Sequence, residues 1–445
     1  MKPFPFQIEG ARFLAARKAA LLADEMGVGK TMQAVLACDF VQARKIVVVC
    51  PAIARPTWAR EFKQWQTMPR RVCVAESPSK RVPDTDVLIV SYEFVTADIL
   101  ARVMGEKDVL IIDEAHYLAN WKSKRTQFVL GKDGARARAK HVWCLSGTPM
   151  RSDPSSLWPM LYSLAPELIE KRNGGPYGYE AFVDRYCKGY YRDFRFVITG
   201  GKNLEELAAR IKPFYLRRRA DDVVQLPPIF FSDFELDIPE RALPGFVLKA
   251  STEPADDDEI IREARAFGDL GDQASWREKL GAVKAGAVVK ALREELASGQ
   301  VGKIVVFAWH ESALDIIENG LREFGVARID GNTSPAAKSA AERVFQTDPA
   351  CRVLAGNIMA AGVAVTLTAA HHVFFVEWDW TPLNNAQAAL RTRRIGQKET
   401  SFVRFAVTRD PMDRRVTAAL RRKTAAIAET FGEGVETSID RRVAG

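Results

Sequence analysis

Short runs of β-branched residues alternate with longer Ala-rich stretches of helical spacing along most of the chain. KIVVVC at 45–50, DVLIVSY at 86–92, DVLII at 108–112 and HVWCL at 141–145 predict strands, and the helical stretches between them predict βαβ units on a parallel sheet. From about 155 to 219 that rhythm stops. LWPMLYSL, the turn NGGPYGY and FVDRYCKGYY read there as a helical and aromatic insertion, which Pro227 and Pro228 close. An acidic, loosely patterned segment with Asp256, Asp257, Asp258 and Glu259 follows, so 221–290 reads as a linker carrying helices. The βα rhythm returns with KIVVFAWH at 303–310, VARID at 326–330, RVLAG at 352–356 and HHVFFVEW at 371–378. The pattern therefore predicts an α/β protein of two parallel-sheet lobes with helical insertions. Its expected divisions are 1–154, a helical protrusion at 155–220, the linker and second protrusion at 221–290, a second lobe at 291–410 and a basic helix or brace at 411–445.

Composition adds partners and compartment to this picture. With 445 residues, 47% hydrophobic and 27% charged, the chain has apolar material for more than one core and does not read as disordered. A formal charge of +8 favours a polyanionic partner, since Lys and Arg that face phosphates displace condensed counterions. Cys38, Cys50, Cys73, Cys144, Cys187 and Cys351 form no C-x-x-C pair and read as reduced cytosolic residues. No signal peptide is expected from MKPFPFQIEGARF, nor any membrane-spanning run. A monomer in the cytoplasm of a prokaryotic or phage-infected cell is the expectation.

Ligands of open α/β sheets sit at the carboxyl ends of strands, and three groups of residues there carry chemistry. LLADEMGVGKT at 21–31 is an apolar approach, a Gly-containing turn and a helix start. Its residues Asp24, Glu25, Met26, Gly27, Val28 and Gly29 suit a phosphate, with Lys30 reaching the β and γ phosphates and the Thr31 hydroxyl binding Mg²⁺. Asp24 departs from the strict G-x-x-x-x-G-K-[ST] pattern, and an incidental Gly-rich turn is the competing reading. DVLIIDEAH at 108–116 supplies the second group: Asp113 to hold Mg²⁺ and Glu114 to deprotonate the attacking water. QAALRTRRIGQ at 387–397 is the third, with Arg391 and Arg394 three apart on one predicted helical face. They read either as arginine fingers or as a solvated basic face.

Together these residues resemble the Swi/Snf-type ATPases of helicase superfamily 2. FPFQIEGARFL, DEMGVGKT, CPAIARPTWAREFKQW, DEAH, SGTPM, RYCKG, LRRRADDVVQLPP, KIVVFAWH, RIDGNTS, AAGVAVTLTAA and the RxxRIGQ element stand in the family's order. The resemblance implies tandem RecA-like lobes of the P-loop NTPase type, with ATP and Mg²⁺ as cofactors. It further implies adenine recognition by Gln7, a nucleotide role for Gln387 and translocation along double-stranded DNA. Candidate phosphate contacts are Ser146, Thr148, Arg217, Arg218, Thr366 and Thr368. The forms VFAWH, IDGNTS and AAGVAVTLTAA are closer to the annealing-helicase branch. Ala364 stands where the family usually has Gly, and Ala361 replaces another small position. Trp58, Trp65 and Trp380 read as packing residues rather than base-stacking platforms. A strand-separating DNA or RNA helicase, and a nucleotide-switched clamp without turnover, are the alternatives.

Overall fold

Among the described residues of the computed structural model, nine strands precede residue 225: β1 (Ala19–Leu22), β2 (Ile46–Cys50), β3 (Val72–Val74), β4 (Val87–Ser91), β5 (Lys107–Asp113), β6 (Ala139–Leu145), β7 (Cys187–Arg192), β8 (Arg195–Gly201) and β9 (Tyr215–Leu216). Seven of them form one sheet in the order β3-β4-β2-β5-β6-β1-β9, and every pairing is parallel. The structure describes residues 2–25, 27–75, 84–95, 106–147, 149, 153–171, 174–192, 195–239, 242–243, 257, 260–261, 274–362 and 365–429. The chain divides into a unit Met1–Gln225 and a unit Leu226–Phe431.

The second unit holds a parallel six-stranded sheet made of β10 (Ile229–Glu235), β11 (Ile304–Ala308), β12 (Val326–Ile329), β13 (Val353–Asn357), β14 (His372–Phe375) and β15 (Ser401–Val407), in the order β10-β15-β14-β11-β13-β12. Residues alternate between two cores, as strand geometry demands. Val305, Phe307, Leu354, Val373 and Phe375 lie on one face, and Ile304, Val306, Val353, Ala355 and Phe374 on the other. Continuous apolar runs are what a sheet covered on both faces requires. Each unit is thus an α/β, RecA-like lobe.

Three elements differ from the pattern-based reading. Strands β7 and β8 pair antiparallel inside the stretch expected to be helical, beside the helices Trp158–Leu164, Tyr179–Tyr186 and Leu204–Ile211. Lys188, Gly189, Gly200 and Gly201 interrupt any β-branched run, so the pair leaves no strong pattern. Residues 229–235, read as linker, form edge strand β10, whose half-buried Ile229 and Phe231 alternate with exposed Phe230 and Ser232. Short β9 pairs with β1 and closes the first sheet.

The helix Ala274–Ala297 joins the second unit through its polar groups. Lys284 Nζ donates to the Ala406 carbonyl at 3.0 Å and to Asp413 Oδ1 on the helix Pro411–Glu429. Asp413 also accepts from the Thr408 N–H and hydroxyl. The Arg277 guanidinium lies over Trp309, Trp378 and Trp380, at 4.8–5.4 Å from the ring centres, so Trp380 is a packing residue. Val416, Ala419 and Leu420 of the last helix enter the core of the same unit. Among the described residues no helix is long and apolar enough to cross a membrane.

Lys284 and Asp413 are both buried, so removing one partner strands the other charge. Asp413→Ala is expected to lower the stability of the second unit by about 3–5 kcal/mol, and Lys284→Met with Asp413→Leu to recover most of it. Urea unfolding followed by hydrogen exchange in the helix Pro411–Glu429 measures both.

Candidate active site

The carboxyl end of β1 runs into the phosphate-loop candidate, and α2 (Lys30–Phe40) begins directly after it. Gly27 and Gly29 adopt φ of 84° and 83°, left-handed values that glycine reaches without steric cost. A Cβ on Gly29 would also approach Gln7 Nε2 to 2.7 Å, so the loop is a cradle that a side chain would fill. Gln7, on α1 (Pro5–Ala15), donates to the Val28 carbonyl at 3.0 Å and accepts from the Phe4 N–H at 2.9 Å. Lys30 Nζ is folded back onto the carbonyls of Asp24 and Glu25 at 2.7 and 3.0 Å. Burial lowers its pKa, against the opposing fields of Glu114, Asp24 and Asp113. Thr31 lies half-buried in the first turn of α2. These groups fit a polyphosphate with its cation. Met26 lies outside the described residues.

Asp24 is fully buried and explains its own departure from the glycine pattern. Arg218 grips both carboxylate oxygens, Nε to Oδ1 at 3.1 Å and Nη2 to Oδ2 at 2.6 Å. Gln33 of α2 donates to Oδ2 at 3.1 Å and accepts from Arg218 Nη2 at 2.8 Å. Gly10 of α1 passes so close that a Cβ there would fall 1.8 Å from Gln33 Oε1. Glu25 accepts the Ala220 N–H, and Arg217 donates to the carbonyls of Ala23 and Gly147 at 3.4 and 3.3 Å. Arg217 and Arg218 therefore act as internal struts of the phosphate loop. A buried guanidinium needs several acceptors, and Asp24, Gln33 and the Phe6 carbonyl are among those of Arg218.

Asp113 and Glu114 stand at the carboxyl end of β5. Trp58 of α3 (Arg55–Trp65) donates its indole N–H to Asp113 Oδ2 at 2.8 Å, and the Glu114 N–H donates to Oδ1 at 3.0 Å. The Tyr92 hydroxyl donates to the Asp113 carbonyl at 2.7 Å. Burial, and then the Glu114 charge, raise the pKa of Asp113, while Trp58 and Lys30 oppose them. Glu114 has φ 50° and ψ 52°, a left-handed conformation that costs a non-glycine residue energy and clusters at functional sites. His116 Nδ1 lies 3.2 Å from Glu114 Oε2 and 3.0 Å from Ser146 Oγ. Ser146 is thus buried against His116 at the end of β6. Thr148 lies outside the described residues.

In the second unit the helix Pro382–Ala389 carries half-buried Gln387 and stops before the arginines. Arg391 and Arg394 lie in turns that Gly396, at φ 105°, continues, so the expected shared helical face does not exist. Gln397 Nε2 donates to the carbonyls of Thr392 and Ala370 at 3.0 and 2.8 Å, which holds the turn in place of a helical ladder. Arg391 is buried with Nε on the Gly362 carbonyl at 2.7 Å. Arg394 Nη1 donates to Thr366 Oγ1 at 3.2 Å, and the Thr366 N–H donates to Glu342 at 2.9 Å. Thr368 Oγ1 accepts from Gln346 at 3.2 Å. Ala361 is buried, and Ala364 lies outside the described residues.

A phosphate loop and a DEAH strand end in one unit, followed by an arginine-bearing turn in the next, agree with two family models. The SNF2-related domain matches residues 6–232 and the helicase conserved C-terminal domain matches 287–396. The chain belongs to the SNF2-related ATPase family. Among its relatives is the SWI/SNF-related matrix-associated actin-dependent regulator of chromatin subfamily A-like protein 1 homolog of Caenorhabditis elegans, 32% identical over 92% of this chain and 59% of that protein. The DNA annealing helicase and endonuclease ZRANB3 of Homo sapiens is 28% identical over 97% of this chain and 40% of that protein. The chain thus spans about half the length of the curated relatives it matches. The Sulfolobus solfataricus SWI2/SNF2 ATPase core in complex with dsDNA aligns over 100% of this chain and 98% of its own, at TM-score 0.44 and 20% identity.

Sequence reasoning missed the groups that hold this SNF2-related site in shape. Trp58 read as packing, and only its place in CPAIARPTWAREFKQW pointed to more. Nothing in the text marked Gln33 or Tyr92. Trp58→Phe removes a hydrogen bond to a carboxylate, worth about 1.5–3 kcal/mol, so ATP turnover is expected to fall roughly 10- to 100-fold and to require more Mg²⁺. Nucleotide affinity without Mg²⁺ should stay within about twofold, and a Mg²⁺ titration of both proteins checks it. Arg218→Ala is expected to destabilise the first unit by about 3–5 kcal/mol, with partial recovery when Asp24→Asn is added. Thermal unfolding of the two variants decides that.

Proposed function

We propose that the chain hydrolyses ATP and couples the cycle to translocation along double-stranded DNA. The observation that carries the ATPase part is the charge cluster at the ends of β1 and β5, where Lys30 feels the fields of both Asp113 and Glu114. The glycine turn and the start of α2 offer N–H groups to the phosphates, and Lys30 exchanges its loop carbonyls for the β and γ oxygens. Thr31 and Asp113 are the residues to hold Mg²⁺, which supplies charge neutralisation when bound. Glu114 takes the proton of a water that attacks the γ-phosphorus, releasing ADP and inorganic phosphate. Gln7 is proposed for the adenine, Gln387 for the nucleotide, and Arg391 and Arg394 for the phosphate charge.

The DNA part rests on the +8 charge and on the family. The human relative is named a DNA annealing helicase, which favours a duplex tracker that rejoins strands over one that separates them. Thr366 and Thr368, both half-buried, remain the proposed backbone contacts of the second unit.

Glu114→Gln is expected to lower turnover about 10²- to 10⁴-fold with nucleotide binding kept, and Lys30→Ala to weaken nucleotide binding itself. Turnover is to be measured with closed circular duplex, single-stranded DNA, forked DNA and RNA. Stimulation by duplex supports the proposal; a rate indifferent to every DNA, or raised by RNA alone, would falsify it.

A further inference from the structure

A half-buried cation held by aromatic rings stands just beyond the carboxyl ends of β11 and β14. The helix Ala274–Ala297 sets the Arg277 guanidinium among Trp309, Trp378 and Trp380, and its Nη2 donates to the Trp378 carbonyl, a neutral acceptor. Burial lowers its pKa, against the fields of Glu377 and Asp379. Both of those carboxylates are spent on other groups. Glu377 Oε2 accepts the N–H groups of Trp309 and His310, each at 2.9 Å, and Oε1 lies 2.6 Å from His310 Nδ1. Asp379 accepts from the Thr381 N–H at 2.7 Å and from Asn384 Nδ2 at 2.9 Å. An apolar side chain would fill a ring-lined space at less desolvation cost, so the charge is accounted for by what it orients. One planar cation fixes three indoles and a carbonyl at once.

Trp309 passes that orientation on. Its peptide is clamped on both sides, because Glu377 takes the N–H while the carbonyl accepts from Asn357 Nδ2 at 2.8 Å. Asn357 closes β13 and caps the helix Ile358–Ala361, its Oδ1 accepting the N–H groups of Met359 and Ala360 at 3.0 and 3.2 Å. The next residue, Gly362, carries the carbonyl that receives Arg391 Nε at 2.7 Å. Little slack exists along this line. A Cβ on Gly356 would fall 2.7 Å from Ala361 Cβ, and one on Gly362 would fall 2.2 Å from the Ile358 carbonyl oxygen. Strand, helix and exit are thus in close contact, and a shift of one is felt by the next. The helix Ala274–Ala297 also presses on the second clamp, since a Cβ on Gly281 would fall 2.3 Å from Glu377 Oε1.

We infer that Arg277 is a positioning residue for Arg391, acting through the Trp309 indole, the Asn357 amide and the Gly362 carbonyl, so that docking of the helix Ala274–Ala297 sets the guanidinium proposed to meet the phosphate charge. The inference rests on that reading of Arg391. Contiguity alone establishes no coupling, so the test is a double-mutant cycle on the full chain, read as ATP turnover at saturating duplex DNA. Arg277→Met keeps an apolar stem between the rings and removes the cation. It is expected to lower kcat roughly 10-fold with the KM for ATP within about twofold, whereas Arg277→Lys, which keeps a cation over the rings, should stay within about threefold of the parent. Adding Arg277→Met to Arg391→Ala should cost less than about twofold more. Hydrogen exchange supplies a readout apart from turnover: in Arg277→Met the amides of Met359 and Ala360 should exchange faster, and those of the helix Pro335–Thr347 should not. Parent-like kcat in Arg277→Met, full additivity of the two losses, or an Arg277→Lys variant as slow as Arg277→Met overturns the inference. Arg391→Ala with parent-like kcat defeats the reading of Arg391 and the inference with it, and a parent without turnover defeats the ATPase reading itself.

Discussion

A carboxylate with no exposure to water, Asp24, is held by a guanidinium 194 residues further along the chain, and the site depends on that contact. A buried charge is tolerated only when it is paired and hydrogen-bonded, and here Arg218 and Gln33 together occupy both oxygens. The pairing dictates topology. Arg218 can reach Asp24 only if the chain returns after the insertion so that β9 lies beside β1. The described residues between 155 and 215 therefore belong to an insertion whose ends are fixed by the first sheet. Such an insertion can carry the β7-β8 pair as an appendage without altering the phosphate cradle.

The acidic side of the site is fixed by a different means. Asp113 is oriented by an indole N–H, by the peptide N–H that follows it and, through its carbonyl, by a tyrosine hydroxyl. With that many constraints on one residue, the left-handed turn at Glu114 is over-determined by its surroundings. The turn separates the two carboxylates, sending one towards the indole and the other towards His116 and Ser146. In the proposed function metal binding and proton abstraction are divided between these adjacent residues, and one imidazole links the end of β6 to Glu114.

How much of this was legible in the sequence follows from how locally each feature is encoded. β2, β4, β5, β6, β11, β13 and β14 are runs whose apolar residues fill both faces, so their identity needs no knowledge of the rest of the chain. Strands β7, β8 and β10 lie at edges or outside the main sheets, where one face sees water and polar residues enter the run. Lys30, Asp113 and Glu114 were legible because phosphate chemistry ties them to a turn and a strand end. The struts made by Arg217 and Arg218 were not legible because a cation's partner is decided by folding: the same three arginines in LRRR suit a DNA backbone or a buried carboxylate equally well. The helix expected under Arg391 and Arg394 failed for a related reason, since the tertiary bonds of Gln397 outweigh the helical propensity of Ala and Arg.

The kind of acceptor that each cation holds separates those free to move from those that are not. Lys30, Arg391 and Arg217 rest on neutral backbone carbonyls, whereas Arg218 rests on a carboxylate. An anionic acceptor adds to the hydrogen bond a Coulombic attraction that a neutral carbonyl lacks, so a phosphate outcompetes a carbonyl but not an already ionised, buried Asp24. On that ground Lys30 can leave its loop carbonyls for a nucleotide while the strut beneath it stays in place. Arg217 shares the carbonyl pattern but bridges Ala23 and Gly147, the exits of β1 and β6, so its release would loosen two strand ends at once. The fixed cation Arg218 sets the shape of the cradle, and carbonyl-held Lys30 responds to what enters it.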